Sequence, residues 1–223
     1  MGDERIEPDT EATGPGTSRR LPRRISDVDT LRALAHPTRI ALLETLVIRG
    51  AMTATEASEH VGESPSSCSF HLRQLQRFGF VEEAGGGRGR SRPWRMTELG
   101  LNFSTEEGDA ATRIAASALY QLVRGRQLER YRIWQETRGS YPAAWREASL
   151  DTQSFAWMTP EELKALGERL VEEIPGLFER IEDPSARPAG ALPVELLLLG
   201  HPIAPPSPSS SASEPLPPSS PER

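Results

Sequence analysis

The sequence contains very little cysteine: Cys68 is the only one among 223 residues. A single thiol cannot form a disulfide within the chain, and it cannot supply the several thiolates of a cysteine zinc cluster. Cys68 and His71 have the spacing of two metal ligands on a helix, but two ligands alone make no site. We therefore expect no disulfide, no metal centre and no bound cofactor.

Long hydrophobic runs are also missing. The most apolar segment, VELLLLG at 194–200, is far shorter than the roughly 20 residues that cross a bilayer. Asp3, Glu4 and Glu7 stand where a secretory signal peptide would need apolar residues. We therefore expect a cytoplasmic protein with no membrane partner.

No arrangement of a nucleophile with a general base is recognisable in the sequence. The paired acids Glu161-Glu162 and Glu172-Glu173 are interpreted as helix caps and solvated faces rather than as catalytic dyads. The glycine-rich run GGGRGRSR is not a phosphate-binding loop, because no Lys-Ser or Lys-Thr follows it. We therefore expect that the protein is not an enzyme.

The chain carries a net charge of −6, but the charges are unevenly distributed. Residues 18–104 contain 13 arginines against nine acidic residues, whereas residues 105–223 contain 12 basic against 18 acidic residues. The basic excess therefore lies in one segment. This pattern indicates a nucleic-acid-binding domain within an otherwise acidic protein.

Both ends of the chain have too few large apolar side chains to join a core. Residues 1–24 are acidic and then basic, and residues 202–223 are rich in proline and serine. Neither end can bury enough apolar surface to offset the entropy lost on ordering, so both are expected to be disordered. Folded domains are expected at 25–104 and 105–201.

The first of these domains shows the pattern of four short helices followed by a hairpin. Ser26 is predicted to cap the first helix, and Pro37 to begin the second. Thr53 begins a capping-box pattern for the third helix, and Ser64 is predicted to cap the fourth after the tight turn at Gly62. Two helices joined by such a turn make a helix-turn-helix.

Two short apolar segments, 80–84 and 93–97, flank the glycine-rich run. They are predicted to pair as a β-hairpin. A hairpin directly after a helix-turn-helix is a wing, so residues 25–104 are predicted to form a winged helix-turn-helix domain.

The second folded segment is predicted to be mainly helical. Residues 109–137 form a long helix-compatible stretch, and Thr159 begins another helix. Residues 154–158 and 194–199 resemble strands that pair with each other. The predicted fold class is mainly α with small β: a winged helix-turn-helix domain plus a C-terminal helical region with a short two-stranded β element.

The fourth predicted helix has the character of a DNA-reading helix. Cys68, Leu72 and Leu75 are expected to pack inward, which leaves small serines and Phe70 outside, near the helix N-terminus. Arginines of the glycine-rich loop are expected to reach phosphates or the minor groove. The candidate DNA-binding residues are Ser64, Ser66, Ser67, Ser69, Phe70, His71, Arg73, Arg77, Arg88, Arg90 and Arg92.

Three runs of the sequence resemble the ArsR-type winged helix-turn-helix regulators of bacteria: LRALAHPTRIALLETL, TATEASEHVGESPSSCSFHLRQLQRFGFVEE and, after the glycine-rich loop, PWRMTELG. The resemblance covers residues 28–100, less than half of the chain. It implies a transcriptional regulator, and a homodimeric repressor in particular, that binds double-stranded DNA. In that family the recognition helix carries the pattern S-x-H-L-x-x-L-x-x-x-G, matched here by Ser69, His71, Leu72, Leu75 and Gly79.

The sequence departs from the metal-sensing ArsR-type regulators at the third predicted helix. Those regulators carry a cysteine pair there, whereas this chain has Ala54, Glu56 and Ala57. The resemblance therefore implies a regulator that does not sense metals through cysteines.

A second copy of the chain is expected as a partner. One winged helix offers a small reading surface, and specific sites gain affinity from two recognition helices about 34–36 Å apart. We predict that the homodimer forms through apolar faces on the first helix and the long helix. These faces comprise Leu31, Leu34, Ala115, Leu119 and Leu122.

Two other functions stay open. The chain could be a protein-binding adaptor that uses the winged helix and the acidic C-terminal half. It could also respond to an unknown small-molecule effector, with a pocket lined by Trp134, Trp145, Phe155 and Trp157. The arginine-rich wing and the serine-rich helix favour DNA over the adaptor.

Overall fold

The structure is a computed structural model that describes residues 23–85, 92–98, 100–174 and 179–204. It is mainly helical, with two small sheets, and this confirms the predicted fold class of a winged helix-turn-helix protein. None of the helices in the described ranges is long and apolar enough to cross a membrane.

The chain divides into two compact units. The first unit contains the described residues up to 150 together with 179–193. The second unit contains 151–174 and 194–204.

The first unit begins with four helices: α1 (Val28–Leu34), α2 (Pro37–Arg49), α3 (Ala54–Val61) and α4 (Pro65–Arg77). Asp27 caps α1, because its carboxylate accepts a hydrogen bond from the backbone N–H of Thr30 at 2.8 Å. The prediction that Ser26 is this cap was wrong by one residue. Serine and aspartate both suit a helix cap. Asp27 is the cap because it lies three residues before Thr30, whose backbone N–H needs a partner.

The predicted starts of the other three helices are confirmed. Pro37 is the first residue of α2, Thr53 and Glu56 form the capping box of α3, and Ser64 caps α4. Between α3 and α4, Gly62 has a φ of +75°, a left-handed conformation that a glycine adopts without strain. These elements form the helix-turn-helix.

An antiparallel hairpin follows the helix-turn-helix, as predicted. Strand β2 (Val81–Glu83) pairs with β3 (Trp94–Met96). The backbone of Met52, just before α3, exchanges hydrogen bonds of 3.0 and 2.7 Å with Trp94, which attaches the hairpin to the helices. The loop at 86–91, which carries Arg88 and Arg90, lies outside the described residues.

A second small sheet was not predicted. Strand β1 (Arg23–Arg24) pairs in parallel with β4 (Leu101–Asn102). Arg23 donates a hydrogen bond to the carbonyl of Phe78 at 2.7 Å, and its guanidinium lies 4.5 Å from the ring centroid of Phe80. These two arginines, which the sequence analysis assigns to the N-terminal arm, thus belong to the first unit.

The long helix α5 (Ala110–Thr137) confirms the predicted helix, and it packs against α1. Leu31 and Leu34 on α1 are buried, as are Ala115 and Leu119 on α5. The prediction that these faces are free to contact a second subunit was therefore wrong. The two apolar stripes cover each other within one chain, and Leu122 packs at the edge of the same core.

Farther along α5, an ion cluster connects the helix to α2. The carboxylate of Glu44 accepts hydrogen bonds from Arg126 at 2.6 and 3.0 Å and from Arg130 at 2.8 Å. Beyond α5 the first unit continues with elements that were not predicted. These are a 3-10 turn (Arg138–Ser140), α6 (Ala143–Ala148) and, later in the chain, the helical turn α8 (Glu179–Glu182). The helix between α6 and α8, α7, belongs to the second unit.

The second unit contains the helix α7 (Pro160–Glu172), which Thr159 caps as predicted. The predicted strands at 154–158 and 194–199 were wrong, since neither segment has regular secondary structure. A strand needs both a hydrogen-bonding partner and a covered face. Neither is found for these two segments. Among the described residues of this unit no strand is available as a partner, and none is buried. Both small sheets therefore lie in the first unit.

Candidate nucleic-acid interface

The outer face of α4 carries four exposed side chains: Ser66, Phe70, Arg73 and Arg77. Their spacing of four, three and four residues places them on one side of the helix. The opposite side is formed by Cys68, Leu72 and Leu75, which are at most 1% exposed, as predicted. The helix is thus fixed to its domain along one face and free along the other.

The start of α4 is organised by serines. Ser64 Oγ accepts a hydrogen bond from the backbone N–H of Ser67 at 3.1 Å, and it lies 2.9 Å from Ser66 Oγ. Ser69 is partly buried and accepts a hydrogen bond from Arg73 at 2.9 Å. Small side chains at a helix N-terminus let a phosphate or a base edge approach closely, and the helix dipole favours the negative charge.

Phe70 is the large apolar side chain of this face. It is 52% exposed, although an aromatic ring of this size is normally covered in a folded domain. Its ring makes a T-shaped contact with the ring of His71, with the centroids 5.2 Å apart. An exposed aromatic ring held in this way is suited to contact with an apolar group such as the methyl group of thymine.

His71 does not share the outer face. Its ring is partly buried and lies 4.4 Å from the ring of His36, at the start of α2. Burial is the main cause that lowers the pKa of the imidazole, and the charge of Arg39 acts in the same direction. Of the predicted site residues on α4, His71 is therefore the one that lies between helices.

The wing carries arginines that are paired with acids of the facing strand. Arg92 donates to Glu83 at 2.8 Å, and Arg95 donates to Glu82 at 2.8 Å through Nε. All four side chains are exposed, and exposed ion pairs contribute only about 0–1 kcal/mol, so a phosphate can replace the acid at little cost. Arg88 and Arg90 were also predicted here, but they lie outside the described residues.

Arg95 is a candidate DNA-binding residue that was not predicted from the sequence. The signal was present, because Trp94 is buried and adjacent residues of a strand point to opposite sides. Arg95 must therefore face outward on β3.

The aromatic residues proposed for an effector pocket lie in both units. Trp134 lines an open cavity of about 410 Å³ in the first unit, with Arg138 and Arg146 on its walls. Phe155 and Trp157 belong to the second unit, where both are exposed.

A metal centre has no candidate within the described ranges, because no group of three or more His, Cys, Asp or Glu side chains could hold an ion there. Cys68 is a free, buried cysteine. Burial, and then the charge of Glu63, raise the pKa of its thiol, which disfavours the thiolate that a metal would need.

Residues 34–84 match a family model described as a helix-turn-helix domain. The matched residues run from the end of α1 through α4 to the end of the first wing strand, so the match coincides with the observed helix-turn-helix. The chain therefore carries a helix-turn-helix domain. A search of curated proteins finds no match.

Two solved structures are similar over most of their length. A transcriptional regulator from Thermotoga maritima is 14% identical, with a TM-score of 0.27, and the match covers 68% of this chain and 82% of that chain. A MarR family transcription regulator is 16% identical, with a TM-score of 0.28, and the match covers 66% of this chain and 82% of that chain. Both scores are too low to assign a family.

Proposed function

We propose that the chain is a cytoplasmic, sequence-specific DNA-binding transcriptional regulator of the ArsR-like type. In this proposal it acts as a homodimeric repressor, and it does not sense metals through cysteines. The observation that carries the proposal is the outer face of α4. On a helix otherwise fixed by buried side chains, it presents a serine-rich N-terminus, an exposed Phe70 and two arginines to solvent.

The residues of this face divide into two roles. Ser66 and Phe70, near the N-terminus of α4, are assigned to base edges in the major groove. Arg73 and Arg77, together with Arg92 and Arg95 of the wing, are assigned to phosphates, which position the protein without reading sequence. The loop arginines Arg88 and Arg90 extend the phosphate set.

The experiment is a selection of duplexes from a random library with the full-length chain, followed by binding measurements on the recovered duplex. Phe70→Ala should lower discrimination between that duplex and a scrambled one by about 1–3 kcal/mol while non-specific affinity is kept. Arg113→Ala, an exposed arginine at the start of α5, is the control and should change neither quantity. A library that yields no enriched sequence would refute the proposal.

The homodimer is assigned to a different surface from the one predicted from the sequence. Tyr120, Leu128 and Tyr131 lie on one side of α5, and all three side chains are more than two-fifths exposed. Their spacing of eight and three residues keeps them on one helical face. A second copy that packs against this face would cover it and place two recognition helices on one DNA duplex.

The ligand-responsive alternative is favoured by the cavity at the end of α5. Trp134 offers a flat apolar surface, and Arg138 and Arg146 offer two guanidinium groups around about 410 Å³. Such walls suit a planar, negatively charged small molecule. Quenching of tryptophan fluorescence by a panel of aromatic acids, lost in an Arg138→Ala, Arg146→Ala variant, would support an effector of this class.

The adaptor alternative has no specific contact in its favour. It would be preferred if the full-length chain retarded no duplex at low salt and also yielded no enriched sequence.

A further inference from the structure

Two histidines connect α4 to α2. His36 lies at the start of α2 and His71 in the middle of α4, with ring centroids 4.4 Å apart and planes inclined by 38°. Nδ1 of His36 accepts a hydrogen bond from the backbone N–H of Thr38 at 3.2 Å, so this imidazole caps α2. The His71 ring also makes a T-shaped contact with Phe70, on the exposed face of α4. The pair is therefore part of the contact that sets where α4 lies.

The hydrogen bonding favours the neutral form of both rings. Nδ1 of His36 can accept from Thr38 only while it carries no proton. Nδ1 of His71 is buried and has no hydrogen-bond partner among the described residues. In the imidazolium form both ring nitrogens carry a proton, so this nitrogen would be a buried N–H with no acceptor among the described residues.

The charged groups around the pair act mostly in the same direction. Burial is the largest cause that lowers the pKa of His36 and of His71, and the guanidinium of Arg39 on α2 lowers both further. Each ring would also repel the other if both were charged. Glu63, from the turn between α3 and α4, acts in the opposite direction. The neighbouring Cys68 thiol is buried and uncharged.

We propose that the neutral His36–His71 pair positions the recognition helix, and that protonation of the pair displaces α4 and weakens specific DNA binding. Two imidazolium rings 4.4 Å apart beside Arg39 would repel, and the cap of α2 would be lost. The part that concerns DNA depends on the proposed function. Both histidines are positioning residues, since they act through α4 and not by contact with a base.

The sign of the effect on stability follows from the lowered pKa values. The unfolded chain, with histidine pKa values near 6.5, binds protons before the folded chain does. The stabilisation by the neutral pair is therefore fully present above about pH 6.5, and it is lost as the pH falls through the lower pKa values of the folded state.

The direction in which DNA affinity changes with pH distinguishes this proposal from a simple attraction between histidine charge and phosphate. A protonated histidine adds a positive charge, which by itself tightens binding to phosphates at low pH. The positioning role requires the reverse for a specific duplex, because displacement of α4 removes base contacts. Binding to a scrambled duplex, which depends on charge alone, should become tighter on acidification.

The first experiment uses the protein alone. His36→Asn keeps a side-chain oxygen that can cap α2 and removes the titrating group, and His71→Phe keeps a ring of similar size in the pair. The exposed His60→Asn, on α3, is the matched control. NMR titration of the imidazoles and hydrogen exchange of the α4 amides are followed from pH 7.5 to 5.5. In the wild type and the control, exchange at α4 should accelerate on acidification beyond its intrinsic pH dependence, and the double variant should lose this change.

The second experiment measures affinity for the duplex recovered by selection at pH 7.5. Between pH 7.5 and 5.5 the wild type and His60→Asn should lose affinity, because protonation of the pair is coupled to displacement of α4. The double variant should show no loss. If His71→Phe does not fold, His71→Gln replaces it, because an amide is also uncharged over this range.

The outcomes are distinct. Imidazole pKa values at or above 6.5, or α4 exchange that is equally pH-dependent in the double variant, would overturn the positioning role. An acid-induced loss of affinity that the double variant retains would overturn its connection with DNA. If selection recovers no duplex, the proposed function fails, while imidazole titration and α4 exchange still decide whether the pair positions the helix.

Discussion

Both units of this protein contain runs of large apolar side chains, but among the described residues only the first unit has a buried core. In the first unit, Leu34, Leu42 and Leu72 are completely buried. In the second unit, the run at 194–199 contains five large aliphatic side chains, and each of them is at least 38% exposed. The difference shows that apolar content produces a core only where several elements enclose the same space, as α1, α2, α4 and α5 do.

The comparison predicts very different costs for the same substitution in the two units. Leu72→Ala removes a side chain that the core encloses, so the free energy of unfolding should fall by about 2–5 kcal/mol. Leu198→Ala removes one that is 53% exposed, and it should change the free energy of unfolding by less than about 0.5 kcal/mol. Chemical denaturation followed by circular dichroism measures both. If both substitutions lowered the free energy of unfolding equally, the run at 194–199 would be covered in solution.

The features that could be predicted from the sequence are those set by neighbouring residues. Caps and turns depend on side chains within three residues of one another, so Pro37, Thr53 and Ser64 were identified from the sequence alone. The stripe of Ala115 and Leu119 was also recognised as apolar, but the sequence does not say that α1 covers it. Pairing between distant segments was harder still, since β1 joins β4 across more than 70 residues.

In the candidate site, too, local patterns were predicted and contacts between helices were not. The buried and exposed sides of α4 follow from helical periodicity, and both were predicted. The position of His71 was not, because its contact with His36 depends on how α4 crosses α2. Arg95 was overlooked although the alternation along β3 indicates its direction.

The comparison between the two units also concerns the proposed dimer contact, which is assigned to the first unit. Leu128→Asp places a charge in the exposed face of α5 and should give a monomer in light scattering at micromolar concentration, because a buried unpaired carboxylate is unfavourable in an interface. Leu198→Asp, in the second unit, should leave the dimer intact. Both variants should keep the helix content of the wild type. If Leu198→Asp alone dissociates the dimer, the second unit supplies the interface.

The two capping boxes allow a matched comparison of smaller effect. Thr53 with Glu56 and Thr159 with Glu162 have the same local geometry, but α3 packs on the core and α7 has no buried residue. Thr53→Ala should lower the free energy of unfolding by about 1 kcal/mol, the usual cost of a lost cap. Thr159→Ala should leave the main unfolding transition unchanged and reduce helix content slightly. A shift of the main transition by Thr159→Ala would show that the two units unfold together.

The smallest expected effect concerns the wing, and it tests whether contact with DNA is confined to the first unit. Arg95→Ala removes one phosphate contact under the proposed function, so the slope of log affinity against log salt should shrink by about one. Its partner Glu82 is released at little energetic cost, because the pair is exposed. Arg169→Ala, on α7 of the second unit, is the control, and its slope should equal that of the wild type. An Arg95→Ala slope equal to that of the wild type would place this strand away from the phosphates, whereas a smaller slope for Arg169→Ala would bring the second unit into the DNA interface.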